Sequence, residues 1–221
     1  MFRTASRLDQ QGIIALWKEA FGDSEASVAH FFESFPDCIS YVAEENGSVV
    51  SMMHVLPQVL SPDLPAAYVY AVATRKSHRG QGLCRKLMTF AENDLKPRFR
   101  CAVLTPGEPE LFRFYEKLGY KTAFYRTRTA FSHGTPVSVE EYARLREQVL
   151  TVPHMVYDVS LLNYAQAVYG LTFYKTKTGC AAVGHTTEVL PEDTGGDPFA
   201  MLKWLGEPMA LPNAYLGFPL E

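Results

Sequence analysis

Ala67-Tyr-Val-Tyr-Ala-Val-Ala-Thr74, Arg75-Lys-Ser-His-Arg-Gly-Gln-Gly82 and Leu83-Cys-Arg-Lys-Leu-Met-Thr-Phe-Ala-Glu-Asn-Asp-Leu95 follow one another as strand, glycine-bearing loop and helix. The first segment is apolar almost without alternation, the pattern of a central strand covered on both faces. In the third, Leu83, Leu87, Phe90, Ala91 and Leu95 recur at helical spacing, and Pro97 follows where the helix ends. From Arg75 to Lys86 the chain carries Arg75, Lys76, Arg79, Arg85, Lys86 and His78, and no acidic residue. A basic run by itself is most often a solvated edge. Here it brackets Gly80 and Gly82 between a buried strand and a helix start. Unsatisfied backbone N–H groups point outward there, and glycine lets an anion approach them. Neither common nucleotide fingerprint fits: Arg85 stands where a dinucleotide loop needs its third glycine, and no Gly-Lys-Ser/Thr is present.

Outward from this stretch the same α/β alternation continues. Upstream, a short strand at Phe2–Ala5 precedes a helix with Ile13, Leu16, Trp17, Ala20 and Phe21 on its core face, stopped by Gly22. A second helix begins near Asp23 or Ser24 and buries Val28, Phe31 and Phe32. Ile39–Ala43 and Ser48–Leu60 flank Asn46-Gly47, a strong hairpin signal. Downstream come a strand at Cys101–Thr105, a Pro-Gly turn, a helix with Leu111, Phe112, Tyr115 and Leu118 on one face, and a strand at Lys121–Phe131. Ser132–Pro136 looks like a boundary, dividing the chain into 1–133 and 134–221. The second region reads as helices at Val139–Val149, started by Ser138 and Glu141, and Ser160–Tyr169, then a hairpin around Gly179. A short helix capped by Asp197, with Pro198 in its first turn, packs Met201, Trp204 and Leu205, and a last strand covers Ala214–Leu220.

Composition narrows the function classes. With 221 residues, 47% apolar and 20% charged, the chain can bury one large core or two modest ones. A formal charge of −3 provides no global field for nucleic acid or an anionic membrane, so neither partner is expected. Cys38, Cys84, Cys101 and Cys180 are scattered, with no metal-ligand spacing, which suits free thiols in a reducing cytosol and no metal. No secretory h-region and no bilayer-length apolar run is present, so a cytoplasmic protein is expected.

The loop Arg79-Gly-Gln-Gly82-Leu-Cys84 resembles the pyrophosphate loop of the GNAT (Gcn5-related) N-acetyltransferases, Arg/Gln-x-x-Gly-x-Gly/Ala, with Cys84 in the last position. Phe114-Tyr115-Glu-Lys-Leu-Gly119-Tyr120 resembles that family's Phe-Tyr-x-x-x-Gly-Phe/Tyr stretch, in the expected order and after an intervening strand. The resemblance covers roughly residues 1–131. It implies an α/β fold with a mixed, mostly antiparallel central sheet flanked by helices. The whole chain also resembles the branch with an Eis-like architecture, in which a smaller C-terminal α/β extension forms a partial second acetyltransferase-like unit. No Arg-x-x-Gly-x-Gly recurs after Ser138, so a second active site is not expected.

By that resemblance, acetyl-CoA is the co-substrate and a small-molecule or protein amine the acceptor. The amides of Arg79, Gly80, Gln81, Gly82, Leu83 and Cys84 would take the pyrophosphate, with Arg79, Arg85 or Lys76 near the phosphates. The bulged strand end, Val72, Ala73 and Thr74, would meet the pantetheine arm and the thioester oxygen through backbone groups. Tyr115 occupies the position of the general acid for the departing thiolate; by spacing alone it is a core aromatic between Leu111 and Leu118. A phenol of pKa ~10 can protonate a thiolate of similar basicity without prior ionisation. A lysine-like amine must first lose a proton, at a cost of about 4–5 kcal/mol at pH 7. Tyr68–Thr74 supplies no carboxylate for this, which leaves Glu108, His54, and Tyr70 through a water. In Ser-Met-Met-His-Val-Leu, His54 is more commonly a satisfied core or edge histidine, and Glu108 is most simply a helix-start acid complementing the dipole. A silent acyl-CoA-binding or regulatory module is the alternative, because the strand carboxylate is missing. A nucleic-acid adaptor is poorly supported without an aromatic platform. A homodimer through the C-terminal region stays open.

Overall fold

The computed structural model describes residues 1–218. Two compact units interleave along the chain: one comprises Met1–Pro57, Pro65–Leu104 and Trp204–Pro208, the other Gln58–Leu64, Thr105–Lys203 and the chain from Met209. The architecture is α/β, with mostly antiparallel sheet flanked by helices.

The first unit is built from β1 (Phe2–Thr4), α1 (Gln10–Phe21), α2 (Glu25–Ser34), β2 (Ile39–Glu45), β3 (Ser48–Leu60), β4 (Leu64–Thr74), α3 (Leu83–Leu95) and β5 (Cys101–Leu104). Its strands lie in the order β1-β2-β3-β4-β5. Asn46 and Gly47 both take positive φ, as the predicted hairpin turn demands, and the register pairs Ser40 with His54 and Tyr41 with Met53. Strand alternation therefore sends His54 to one face and Met53 to the other. On the His54 face, Trp17 of α1 and Phe31 and Phe32 of α2 surround the imidazole, with ring centroids 5.0, 6.1 and 5.4 Å away. On the opposite face α3 packs against β1 and β2, anchored where the Tyr41 hydroxyl donates to Asp94 at 2.6 Å. Phe21, expected on the core face of α1, is 48% exposed: it is the last residue of the helix before the Gly22 cap, and its ring stands edge-on to Trp17 at 6.0 Å.

The second unit contains α4 (Pro109–Glu116), β6 (Lys121–Arg126), β7 (Thr135–Pro136), α5 (Val139–Val149), α6 (Val159–Tyr169), β8 (Thr172–Lys175), β9 (Cys180–Val183), β10 (Thr187–Leu190) and β11 (Asp197–Trp204). Strands β10-β9-β8-β7 form an antiparallel sheet on which α5 packs, and β11 pairs antiparallel with β6. Asp197–Trp204 is a strand, because pairing with β6 and burial of Ala200, Met201 and Leu202 outweigh the helix-start signal of Asp197-Pro198. Strand β6 stops at Arg126, well short of Phe131. Of the expected last strand, Ala214 and Tyr215 form isolated bridges to Phe124 and His154, and Leu220 lies outside the described residues.

The interior of the second unit holds charge as well as apolar side chains. Arg146 and Glu188 are wholly buried 3.4 Å apart; Tyr142 donates to the same carboxylate, and Arg146 lies over the Tyr157 ring at 4.2 Å. All four cysteines are free thiols. Among the described residues, no helix is long and apolar enough to cross a membrane and no cluster of three His, Cys, Asp or Glu is placed to hold a metal ion.

Candidate functional site

Strand β4 carries a backbone irregularity that no residue type announces. Ala71 has φ +47°, a left-handed conformation that costs a non-glycine residue roughly 1–2 kcal/mol. The kink falls where β4 outruns its parallel neighbour. Pairing with β5 runs through Ala66–Cys101, Ala67–Ala102 and Tyr68–Val103, β5 ends at Leu104, and β4 continues to Thr74. Beyond the kink the strand is held from the β3 side: Ser51 Oγ donates to the Ala73 carbonyl at 2.8 Å and lies 2.8 Å from Thr74 Oγ1, and the Arg75 amide donates to Val50 at 2.9 Å. Val72–Thr74 is thus a bent strand end, positioned on one side and past the ladder on the other.

The loop that follows turns through two left-handed glycines. Gly80 and Gly82 have φ of +78° and +73°, which an L side chain enters only with strain, and a Cβ at either would meet nothing within 4 Å. Their requirement is conformational, and the space in front of them is open. Gly82 is the N-cap of α3 and supplies no side-chain cap; the first helical bond is Lys86 N–H to the Gly82 carbonyl at 3.1 Å. The amides of Leu83, Cys84 and Arg85 therefore lack intrahelical acceptors, at the positive end of a 13-residue helix dipole. Cys84 fits as a small residue: burial pushes its thiol up to about 11, so it is protonated and inert.

The basic side chains divide into structural and available. Arg75 donates to the Val49 carbonyl at 2.8 Å and to Glu19 at 3.0 Å, and Glu19 also accepts from the Lys76 amide at 2.8 Å. Arg75 thus ties α1 to the loop. His78 lies 3.3 Å from Glu45, and Arg79 donates to the Thr74 carbonyl at 3.1 Å. Lys76, Arg85 and Lys86 keep exposed side chains beside the open amides. No local pattern marks Glu19 or Glu45 for this role, because both come from distant elements.

The acid and base candidates have contrasting surroundings. His54 is completely buried; its Nδ1 is 2.8 Å from Ser40 Oγ, its Nε2 has no hydrogen-bond partner, and burial drives its pKa down to about 3. It is a neutral core imidazole. Tyr70 stacks on Phe31 at 4.9 Å in the same cluster. In the second unit, Glu108 is exposed at the N-cap of α4 without a side-chain cap bond, followed by Pro109. Tyr115 on α4 is 8% exposed, with its ring against Phe114 and Tyr120 at 5.1 and 5.9 Å.

Comparison with known proteins finds relatives in sequence and in fold. The E. coli (strain K12) protein named uncharacterized N-acetyltransferase YhbS is 28% identical over 127 residues, 56% of this chain and 74% of that protein. A GCN5-related N-acetyltransferase from Kribbella flavida superposes with a TM-score of 0.67 at 13% identity, over 92% of this chain and 71% of that one. Eis1 from Mycobacterium abscessus gives a TM-score of 0.63 at 14% identity, over 82% of this chain and 53% of its own. A conserved protein of unknown function from Enterococcus faecalis V583 gives 0.65 at 20% identity, over 83% of this chain and 54% of its own. The chain thus spans about half the length of the last two. The model of the GNAT acetyltransferase domain matches residues 1–123, more than half of the sequence, and the chain belongs to that family.

Proposed function

We propose that this protein transfers an acetyl group from acetyl-CoA to a primary amine by direct attack, without a covalent enzyme intermediate. The observation that carries this reading is the pair of left-handed glycines at the uncapped start of α3, directly after the kinked end of β4. The pyrophosphate would accept hydrogen bonds from the amides of Leu83, Cys84 and Arg85, with Lys76, Arg85 and Lys86 adding charge. Backbone groups of Val72–Thr74 would hold the pantetheine arm and polarise the thioester oxygen. As the neutral amine nitrogen bonds to the carbonyl carbon, the C–S bond breaks and Tyr115 gives the departing thiolate its proton; the nitrogen sheds its own proton to solvent, from which Tyr115 is reprotonated. His54, with its pKa driven to about 3, is poorly matched to accept the amine's proton near neutrality, whereas Glu108 keeps a water-exposed carboxylate. The reading places the protein in the cytoplasm, where acetyl-CoA and free thiols coexist.

Calorimetric titration of acetyl-CoA into the wild type and a Gly82→Glu variant tests the cradle. Micromolar binding that disappears in the folded variant is expected, since the added carboxylate faces the pyrophosphate. A folded wild type that takes up no acetyl-CoA overturns the reading. Thiol release across an amine panel then tests turnover: Tyr115→Phe should lower kcat roughly 10²–10⁴-fold, the range for a general acid, with little change in KM. The second reading, a silent acyl-CoA-binding module, is favoured by the absence of a carboxylate on β4. It expects acetyl-CoA binding with no thiol release from any amine.

A further inference from the structure

A cavity of about 420 Å³ in the second unit is lined by Arg126, Arg128 and His185, with hydroxyls from Thr129, Thr186 and Thr187, and by no carboxylate among the described residues. In a chain of net charge −3 this is a marked local excess of positive groups.

Arg126 is the centre of it. The residue is only 6% exposed, yet its guanidinium is incompletely satisfied. One terminal nitrogen donates to the Gly217 carbonyl at 2.9 Å and the other to the Thr187 carbonyl, while Nε has no hydrogen-bond partner among the described residues. Its counter-charge, Asp193, lies 3.6 Å away, and both oxygens of that carboxylate already accept backbone N–H groups, from Thr129 at 2.8 Å and Val189 at 2.9 Å. Burying a cation with so little direct pairing is unfavourable unless something else compensates for it.

The backbone around Arg126 is shaped to keep the space open. Pro198 pairs with Tyr125 and Ala200 with Phe124, so Phe199 is an extra residue, a β-bulge. A bulge re-aims its side chain, and the Phe199 ring comes to lie 5.5 Å from the Arg126 guanidinium, an apolar wall beside the charge. The turn carrying His185–Thr187 is fixed by Gly184, where a Cβ would stand 2.5 Å from the Tyr169 carbonyl, and by the His185 amide donating to that same oxygen at 2.9 Å. Only glycine permits that approach. Arg128 adds an exposed cation at the rim, with no ion pair found for it among the described residues.

We propose that this cavity binds a small organic oxyanion, a carboxylate or phosphate monoester carried on a ring or short apolar body. The anionic head meets Arg128, His185 and the threonine hydroxyls in the field of Arg126, and the body lies against Phe199 and Tyr169. The site is independent of the acetyl-CoA reading, since none of its residues belongs to the α3 loop.

Calorimetric titration of the full chain with benzoate, phenyl phosphate and, as the neutral counterpart, phenol tests it. Saturable one-to-one binding of at least one anion, with none for phenol, is expected, and whichever anion binds more tightly identifies the head group. Arg128→Gln should weaken binding about tenfold, the loss of one charge-assisted contact, with His185→Gln as a second variant expected to act in the same direction. Arg144→Gln, an exposed arginine in the same unit, should change nothing. Absence of saturable binding, binding unchanged in both cavity variants, or equal weakening by Arg144→Gln overturns the proposal.

Discussion

The two units place their positive charge in opposite ways. In the first, the fully buried imidazole of His54 is neutral and encased by Trp17, Phe31 and Phe32, no arginine or lysine is buried among the described residues, and positive charge is displayed outside on the α3 loop. In the second, Arg126, Arg146, Glu188 and Asp193 are all taken inside. The first arrangement leaves backbone amides and flexible cations free to meet a large, highly charged ligand in water. The second holds charge rigidly, in a medium where each unpaired ion is costly, and suits a small ligand with a defined head group.

Acid exposes the contrast most strongly. The folded pKa of His54, about 3, is depressed below the ordinary 6.5, so the unfolded chain binds the extra proton as pH falls. Stability from this group should therefore decline progressively from about pH 6.5 to about pH 3, by on the order of 4–5 kcal/mol in total. Urea midpoints between pH 7 and pH 4 should show that slope, and His54→Phe should flatten it; a slope that survives the substitution assigns the acid sensitivity elsewhere. Next in size, Glu188→Gln leaves Arg146 buried without its partner, and a loss of about 3–5 kcal/mol is expected in the same measurement. A loss below about 1 kcal/mol would show that the Tyr157 ring and the Met155 carbonyl, which accepts from Arg146 at 2.8 Å, suffice to hold the guanidinium.

The two binding sites should separate in the same way. Gly82→Glu is expected to weaken acetyl-CoA at least ~100-fold, about 2.7 kcal/mol, while leaving benzoate or phenyl phosphate binding in the Arg126 cavity unchanged. Arg128→Gln should do the converse with its smaller, tenfold effect. Cross-talk in either titration would mean that the sites are thermodynamically linked.

Much of the first unit could be read from local signals. The Asn46-Gly47 hairpin, the Gly22 stop, the uniformly apolar β4 and the glycine loop before α3 are each decided by residues close in sequence, because turn chemistry and helix capping are local. The same holds for α5, whose bounds follow from Ser138 and the spacing behind it; Ser138 Oγ accepts from the Glu141 amide at 3.2 Å. Asp197-Pro198 carried an equally local helix signal, and there tertiary pairing with β6 prevailed. The available members of the basic cluster could not be distinguished from the structural ones either: Arg75 looks like Arg85 until Glu19 arrives from α1.

What the sequence by itself determined is therefore the order of elements in the first unit, with the glycine loop ahead of α3, since turn, cap and helix-start signals need only their neighbours to be recognised. Tertiary structure alone decided that Ala71 would kink β4, that His54 would lose its charge, and that Arg126, an ordinary strand arginine by pattern, would be buried beside a bulged phenylalanine. Each of these depends on desolvation or pairing by residues tens of positions away, and no local pattern encodes which charges will be removed from water.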